Sequence, residues 1–483
     1  MRQRLQHILN KFRQLHFFES LKHTSTLFTA TLLTQVLGII SLRVYTYFFD
    51  DEQYGIINVY LSYATAFSII LTFNLNGAIS RYYFEEKPDY RTFNGTSLIA
   101  SYAVLTILSG IILFFRVEIA NWINLPVQVI PLLIVFIYTI VLWRAYEAFF
   151  IARKQTRLFA ISHVVHQYTK FGAALIGLLL VTGTSVYMGK LAGELIPAIL
   201  MAVFVGYKLW PHIDWTLSKA HLIYILKYCL PLIPLSLSSF ILQYFDQWHI
   251  NKTLGNGDAG LYSFAYKIGL LLLGFLTALM NGTNPQFYAM MNRKAFSEVD
   301  EQVKSMMKLT VLATLFLILF APDLGRILSA KESFTRSLHL VPVLVLGYYI
   351  FSIHLLFVRL INYAKQNIYL TMVVLLSGAV NFLLNLYYIP VYGYEAAAYT
   401  TLISFFVMVF GSWFATRFLL QLPQPPMRTI FYYTLILGVF VALAYGLDTL
   451  ELNWLLLLIL EAGLFGLFGL LIFGDKIRSF ITD

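Results

Sequence analysis

The chain has 483 residues, 59% of them hydrophobic and only 12% charged, with a formal net charge of +10. A soluble chain carries about twice that charged fraction, so composition excludes a soluble globular protein and points to a polytopic membrane protein. A single cysteine, Cys229, excludes an intrachain disulfide and any cysteine-based metal cluster.

In chain order, residues 1–23 form a basic segment with Arg2, Arg4, Lys11, Arg13 and Lys22, expected as an interfacial helix on the cytoplasmic face. It has no apolar core before Thr24, so no cleavable signal peptide is expected. Fourteen helical spans follow, each near the length that a hydrocarbon core of about 30 Å requires. Their expected limits are 24–49, 54–81, 95–115, 128–151, 158–182, 186–208, 227–251, 258–286, 306–321, 338–362, 368–388, 394–417, 429–446 and 453–473, the ninth being short. The fold class is thus an all-α polytopic membrane protein.

Positive charge accumulates on cytoplasmic loops, which fixes orientation. With the N-terminus inside, 24 of the 34 Lys and Arg fall on inside segments and adjoining span ends, five on outside loops and five within spans. Both termini are therefore expected in the cytoplasm, and the net charge reflects topology rather than nucleic acid binding. The longest outside loop, about residues 321–338, is too small to fold alone, which leaves no extramembrane catalytic domain. No HExxH, Walker A or strand-linked GxGxxG pattern occurs.

The chain also resembles itself at an offset of 205 residues. Gly55, in Asp-Glu-Gln-Tyr-Gly-Ile, then stands opposite Gly260, and Val186-Tyr187 opposite Val391-Tyr392. Six spans per unit is an even number, so both units would share one orientation, with a site between them. The expected division is an N-terminal six-helix lobe (24–215), a C-terminal six-helix lobe (216–422) and two added helices with a cytoplasmic tail (423–483).

Charges within spans are costly in hydrocarbon and normally face a bundle interior or a wet cavity. Arg43, Asp246 and Lys267 lie roughly 8–14 Å below the outer boundary at 1.5 Å per residue. Asp246 shares a stripe with Ser236, Ser239 and Gln243, and Lys267 one with Ser263, Thr277, Asn281 and Asn284. The second span adds Asn58, Ser62, Thr65, Thr72 and Asn76, ending at Arg81. These stripes suit a cationic, hydroxyl- and amide-rich chamber for an anionic substrate, since Arg and Lys hold phosphate oxygens. The plainer reading is that Asp246 neutralises Lys267 and joins two helices. Lys170, near mid-membrane beside His163, His166 and Gln167, is placed for sugar hydroxyls, proton coupling or a structural pair. Lys190–Glu194 and Arg144–Glu147 read as structural pairs at helical spacing. His354 and Arg359 extend the second lobe toward the cytoplasm, and Glu461 suits packing.

Three runs carry a resemblance: Asn74–Glu85 (NLNGAISRYYFE), Gly257–Lys267 (GDAGLYSFAYK) and Asn381–Ala398 (NFLLNLYYIPVYGYEAAA). They resemble bacterial lipid-linked oligosaccharide flippases of the O-antigen and capsule pathways, within the multidrug/oligosaccharidyl-lipid/polysaccharide exporter superfamily. The resemblance implies two six-helix lobes alternating between inward- and outward-open forms in the bacterial cytoplasmic membrane. It implies an undecaprenyl-pyrophosphate-linked oligosaccharide as substrate, Arg43 and Lys267 as pyrophosphate or sugar contacts, and Arg81 as a cytoplasmic-side contact. Other polysaccharide-assembly proteins are the expected partners. No cofactor is expected; a coupling ion, H+ or Na+, would have Asp246 or Glu194 as its acid. The alternatives are a cation-coupled drug exporter on the same scaffold and a membrane saccharide polymerase or ligase.

Overall fold

A computed structural model describes residues 25–71, 75–85, 89–153, 155–230, 233–448 and 453–482, and their regular structure is entirely helical. The basic N-terminal segment lies outside the described residues, as do residues 72–74 in the second span. Among the described residues, ten helices are individually long and apolar enough to cross a bilayer. The lipid-facing surface is correspondingly apolar, with Leu180 78% and Phe431 69% exposed.

The first span runs Ser25–Phe48; the second comprises Asp51–Leu71 and Leu75–Phe84. The third to sixth are Tyr90–Phe114, Val129–Ala152, Thr156–Leu180 and Val186–Leu209. The seventh is broken: Lys219–Cys229, then Ile233–Phe240, a π-helical turn at Ile241–Phe245, and Asp246–Leu254. The eighth, Asn256–Arg293, has 38 residues, so at 1.5 Å per residue it outreaches the hydrocarbon core. The ninth, Phe296–Leu319, is a full span and not the short one expected. Its polar first turns, with Glu298, Asp300 and Glu301, hid its start from hydropathy. The tenth to fourteenth are Val341–Tyr363, Asn367–Tyr392, Glu395–Phe414, Met427–Asp448 and Trp454–Thr482. Between the ninth and tenth, the expected loop forms a helix, Ala321–Leu328, and a 3-10 helix, Glu332–Leu340.

The fifth and sixth spans pair in the first half; in the second, the twelfth packs against both the tenth and the eleventh. The last two spans lie on the ninth, where Phe465 meets Phe316 and Phe320 and Glu461 is buried.

The halves meet most closely where the second span crosses the eighth. A Cβ at Gly55 would lie 1.8 Å from the Asn256 carbonyl oxygen, and one at Gly260 would lie 2.0 Å from that of Asp51. Only glycine fits at either place. The four positions form two pairs related by the 205-residue offset, and each partner of one pair touches its opposite number in the other. That is the reciprocal contact a two-fold relation produces. The other sequence match fails, because Val186-Tyr187 opens the sixth span whereas Val391-Tyr392 closes the eleventh.

Hydrogen bonds reinforce this end of the bundle. Asn124 Nδ2 donates to the Asn251 carbonyl at 3.0 Å, Lys252 Nζ to that of Trp122 at 2.6 Å, and Thr46 Oγ1 to that of Leu328 at 3.1 Å. Gly55→Leu should force the second and eighth spans apart. In purified Cys229→Ala protein, Ser263→Cys replaces a fully buried side chain and should resist maleimide. Adding Gly55→Leu should speed labelling at least tenfold; unchanged protection would show that this contact does not close the bundle.

Candidate substrate cavity

Next to the glycine contact, the two halves bring three lysines to one carboxylate. Lys190 and Glu194, one turn apart on the sixth span, form a 2.8 Å ion pair with side chains 3% and 13% exposed. Tyr45 of the first span brackets the pair: its ring lies 4.9 Å from Lys190 Nζ, and its hydroxyl donates to Glu194 Oε1 at 3.4 Å. Lys267 of the eighth span lies 4.8 Å from the centre of the Tyr54 ring, within electrostatic reach of both Lys190 and Glu194. Lys170 of the fifth span reaches the same pair electrostatically and sits 5.0 Å from the Phe136 ring. Glu194 is thus one carboxylate among three lysines drawn from both halves.

Lys170 also lines a cavity of about 150 Å³ with Thr139, Trp143, His166 and Gln167. Trp143 stacks on His166 at 5.3 Å, which fixes the ring beside the lysine. From sequence, Lys190 and Glu194 read as a helical ion pair, with Glu194 also a candidate coupling acid. Their part in a cluster drawn from both halves was not legible, because spacing within one helix does not say which helix faces it.

Asp246 does not pair with Lys267. It is buried in a cage within the second half, where it accepts hydrogen bonds from Tyr262 Oη at 2.7 Å, Thr401 Oγ1 at 2.8 Å and Asn385 Nδ2. Asn385 Nδ2 also donates to Asn381 Oδ1 at 3.1 Å, and Thr400 donates to Asn385 Oδ1. The sequence stripe misled for a physical reason. The π-helical turn at Ile241–Phe245 inserts an extra residue, so positions before and after it no longer share a face. Gln243 is accordingly exposed while Asp246 is buried.

The remaining candidates scatter. Arg43 is exposed, and its guanidinium donates to the Ser329 carbonyl, tying the first span to the second half. Arg81 pairs with Glu85 at 3.1 Å and covers the Tyr228 ring at 4.9 Å, at the far end of the second span. Asn281 is exposed on the eighth span, four turns beyond Lys267. The Asn76 side chain lies outside the described residues.

Fold and site together define a multi-pass helical membrane protein in which lysines from both halves approach one carboxylate. The chain belongs to the family described as polysaccharide biosynthesis protein, which it matches over residues 20–291. No curated protein matches it. Among solved structures it is similar to "Lipid II flippase MurJ, inward closed conformation" (TM-score 0.77, 16% identity, 94% of this chain and 100% of that one). It is also similar to an inward-facing multidrug resistance MATE transporter (TM-score 0.61, 14% identity, 82% and 94%). The outward-facing form of such a transporter fits less well (TM-score 0.52, 15% identity, 84% and 95%). At these identities the likeness concerns the fold.

Double-mutant cycles on thermal unfolding separate the cluster from the cage. Lys190→Met should destabilise by about 3–5 kcal/mol, because it strips a mostly buried carboxylate of its ion partner, and adding Glu194→Leu should restore most of the loss. Asp246→Asn and Lys267→Met, which share no contact, should be additive to within about 0.5 kcal/mol.

Proposed function

We propose that the protein translocates an undecaprenyl-pyrophosphate-linked oligosaccharide from the cytoplasmic to the outer leaflet of the bacterial cytoplasmic membrane, for surface polysaccharide export. The carrying observation is the placing of Lys170, Lys190 and Lys267 around Glu194, across both halves. Charge distribution supports cytoplasmic termini, which makes the Gly55–Gly260 end the outer one and the bundle outer-closed.

Flipping requires no covalent chemistry. Lysines replace water around the pyrophosphate, the tail stays in lipid, and the halves rock about the bound headgroup. Glu194 keeps the empty cluster from repelling itself apart and competes with the substrate for the lysines. An anion held between Lys267 of one half and Lys170 or Lys190 of the other bridges the halves. Separation of the outer ends pulls those lysines apart, which weakens the grip and releases the headgroup. Arg81 stands at the cytoplasmic mouth, and Arg43 belongs to the outer closure that must break. Asp246 follows a local π turn and is surrounded by hydroxyl and amide groups, so it is the better candidate for a coupling H+ or Na+. Other polysaccharide-assembly proteins are the partners this role implies.

In a strain lacking the gene, Lys267→Ala and Lys170→Ala should each lose most surface polysaccharide at normal protein levels, with lipid-linked saccharide trapped inside. Wild-type export by both variants would remove the lysine cluster from the mechanism. Drug resistance conferred in a pump-deficient host would instead favour the multidrug reading, which the surplus of lysines over acids opposes.

A further inference from the structure

We infer that the second half holds a phospholipid phosphodiester in a separate cavity built around Arg359, independent of the transport reading above. The cavity, about 100 Å³, lies where the eighth and tenth spans end and the ninth begins, and Phe287, Val299, Leu356, Arg359 and Gln424 are among its walls. Arg359 is 3% exposed and stands four residues before the end of the tenth span, about 6 Å along the helix axis. That is near the end of the span rather than its middle.

The surroundings of Arg359 do not neutralise it. Its Nη2 donates to Gln302 Oε1 at 2.7 Å, and its Nη1 faces the sulfur atoms of Met306 at 3.1 Å and Met280 at 4.0 Å. The Phe287 ring lies 4.0 Å from its central carbon. Its Nε is buried without a partner, and among the described residues no carboxylate pairs with it. A guanidinium stays charged even here, and an unpaired buried charge costs several kcal/mol. An anion at the cavity removes that cost and gives Nε its acceptor.

Three features narrow the anion. Phe296, the first residue of the ninth span, brings a helix N-terminus without a side-chain cap to the cavity, and the positive end of that helix dipole favours an anion. Asp300 on the rim repels a doubly charged free phosphate but tolerates a singly charged diester, and it would attract the amine of an ethanolamine headgroup. The other walls, Phe287, Met291, Val303, Leu356 and Leu360, are apolar and suit the start of an acyl chain. The linker Pro423-Gln424-Pro425 closes the cavity, with the Gln424 side chain held by Thr416 at 3.4 Å and the Leu422 carbonyl at 2.9 Å. An occupant would therefore bind the second half to the linker leading to the last two spans.

The test uses full-length protein stripped of lipid and titrated with phosphatidylethanolamine, with the matching diacylglycerol, and with inorganic phosphate as competitor, bound lipid being counted by native mass spectrometry. Wild type should retain the phospholipid and not diacylglycerol, and Arg359→Gln should weaken retention at least tenfold. Should Arg359→Gln fail to fold, Gln424→Trp keeps the arginine, fills the cavity and should weaken retention to a similar degree. Arg359-dependent retention that millimolar phosphate does not displace assigns the lipid headgroup. Displacement by phosphate keeps the phosphate site and removes the lipid as its necessary occupant. Equal retention by wild type and both variants, or equal retention of diacylglycerol, overturns the inference.

Discussion

The backbone contact between the second and eighth spans sets the rest of the arrangement. Gly55 and Gly260 allow helix to press on helix with no side chain between, and that fixes rotation and register together. Tyr54 is the neighbour of Gly55, and Lys267 stands seven residues beyond Gly260, two turns along the same face. The contact that closes one end thus lays Lys267 over Tyr54 and turns it toward Glu194 of the opposite half. Structure and charge are coupled through one small surface. A larger residue at either glycine would change both.

Two kinds of buried polar group coexist in this bundle. The Asp246 cage surrounds this seventh-span charge with donors drawn from the eighth, eleventh and twelfth spans, and it lies wholly within the second half. Such a network holds helices in a fixed relation and allows the half to move as a unit. The lysine cluster is the opposite case: its charges outnumber their partner and come from both halves. Under the proposed function, an anion bound there would supply the charge that Glu194 alone lacks. A fully satisfied cluster at the same place would lock the bundle.

The fold was largely legible in the sequence because bilayer thickness dictates the length of each crossing and lysine and arginine mark its sides. The repeat marked Gly55 and Gly260 as counterparts, but not that their helices meet there. The candidate site was legible only in part. Arg43, Lys170 and Lys267 stood out as charges in apolar surroundings, but helical spacing reports the face a residue occupies and not the helix across from it. The π turn then rotated Asp246 away from the stripe it seemed to share with Gln243. Lys190 was read as a local pair with Glu194 because a pair one turn apart explains itself locally. What joined them to Lys267 was the packing of two distant parts of the chain.

The central claim is that lysines from both halves hold the pyrophosphate of a lipid-linked saccharide. The most direct measurement is equilibrium binding by purified protein of two ligands that differ only in the link between lipid and sugar, pyrophosphate in one and a neutral ether in the other. The account predicts binding of the pyrophosphate ligand, a loss of at least tenfold when Lys267 is replaced by methionine, and little binding of the neutral ligand. Equal affinity for both ligands, unaffected by Lys267→Met, would contradict it.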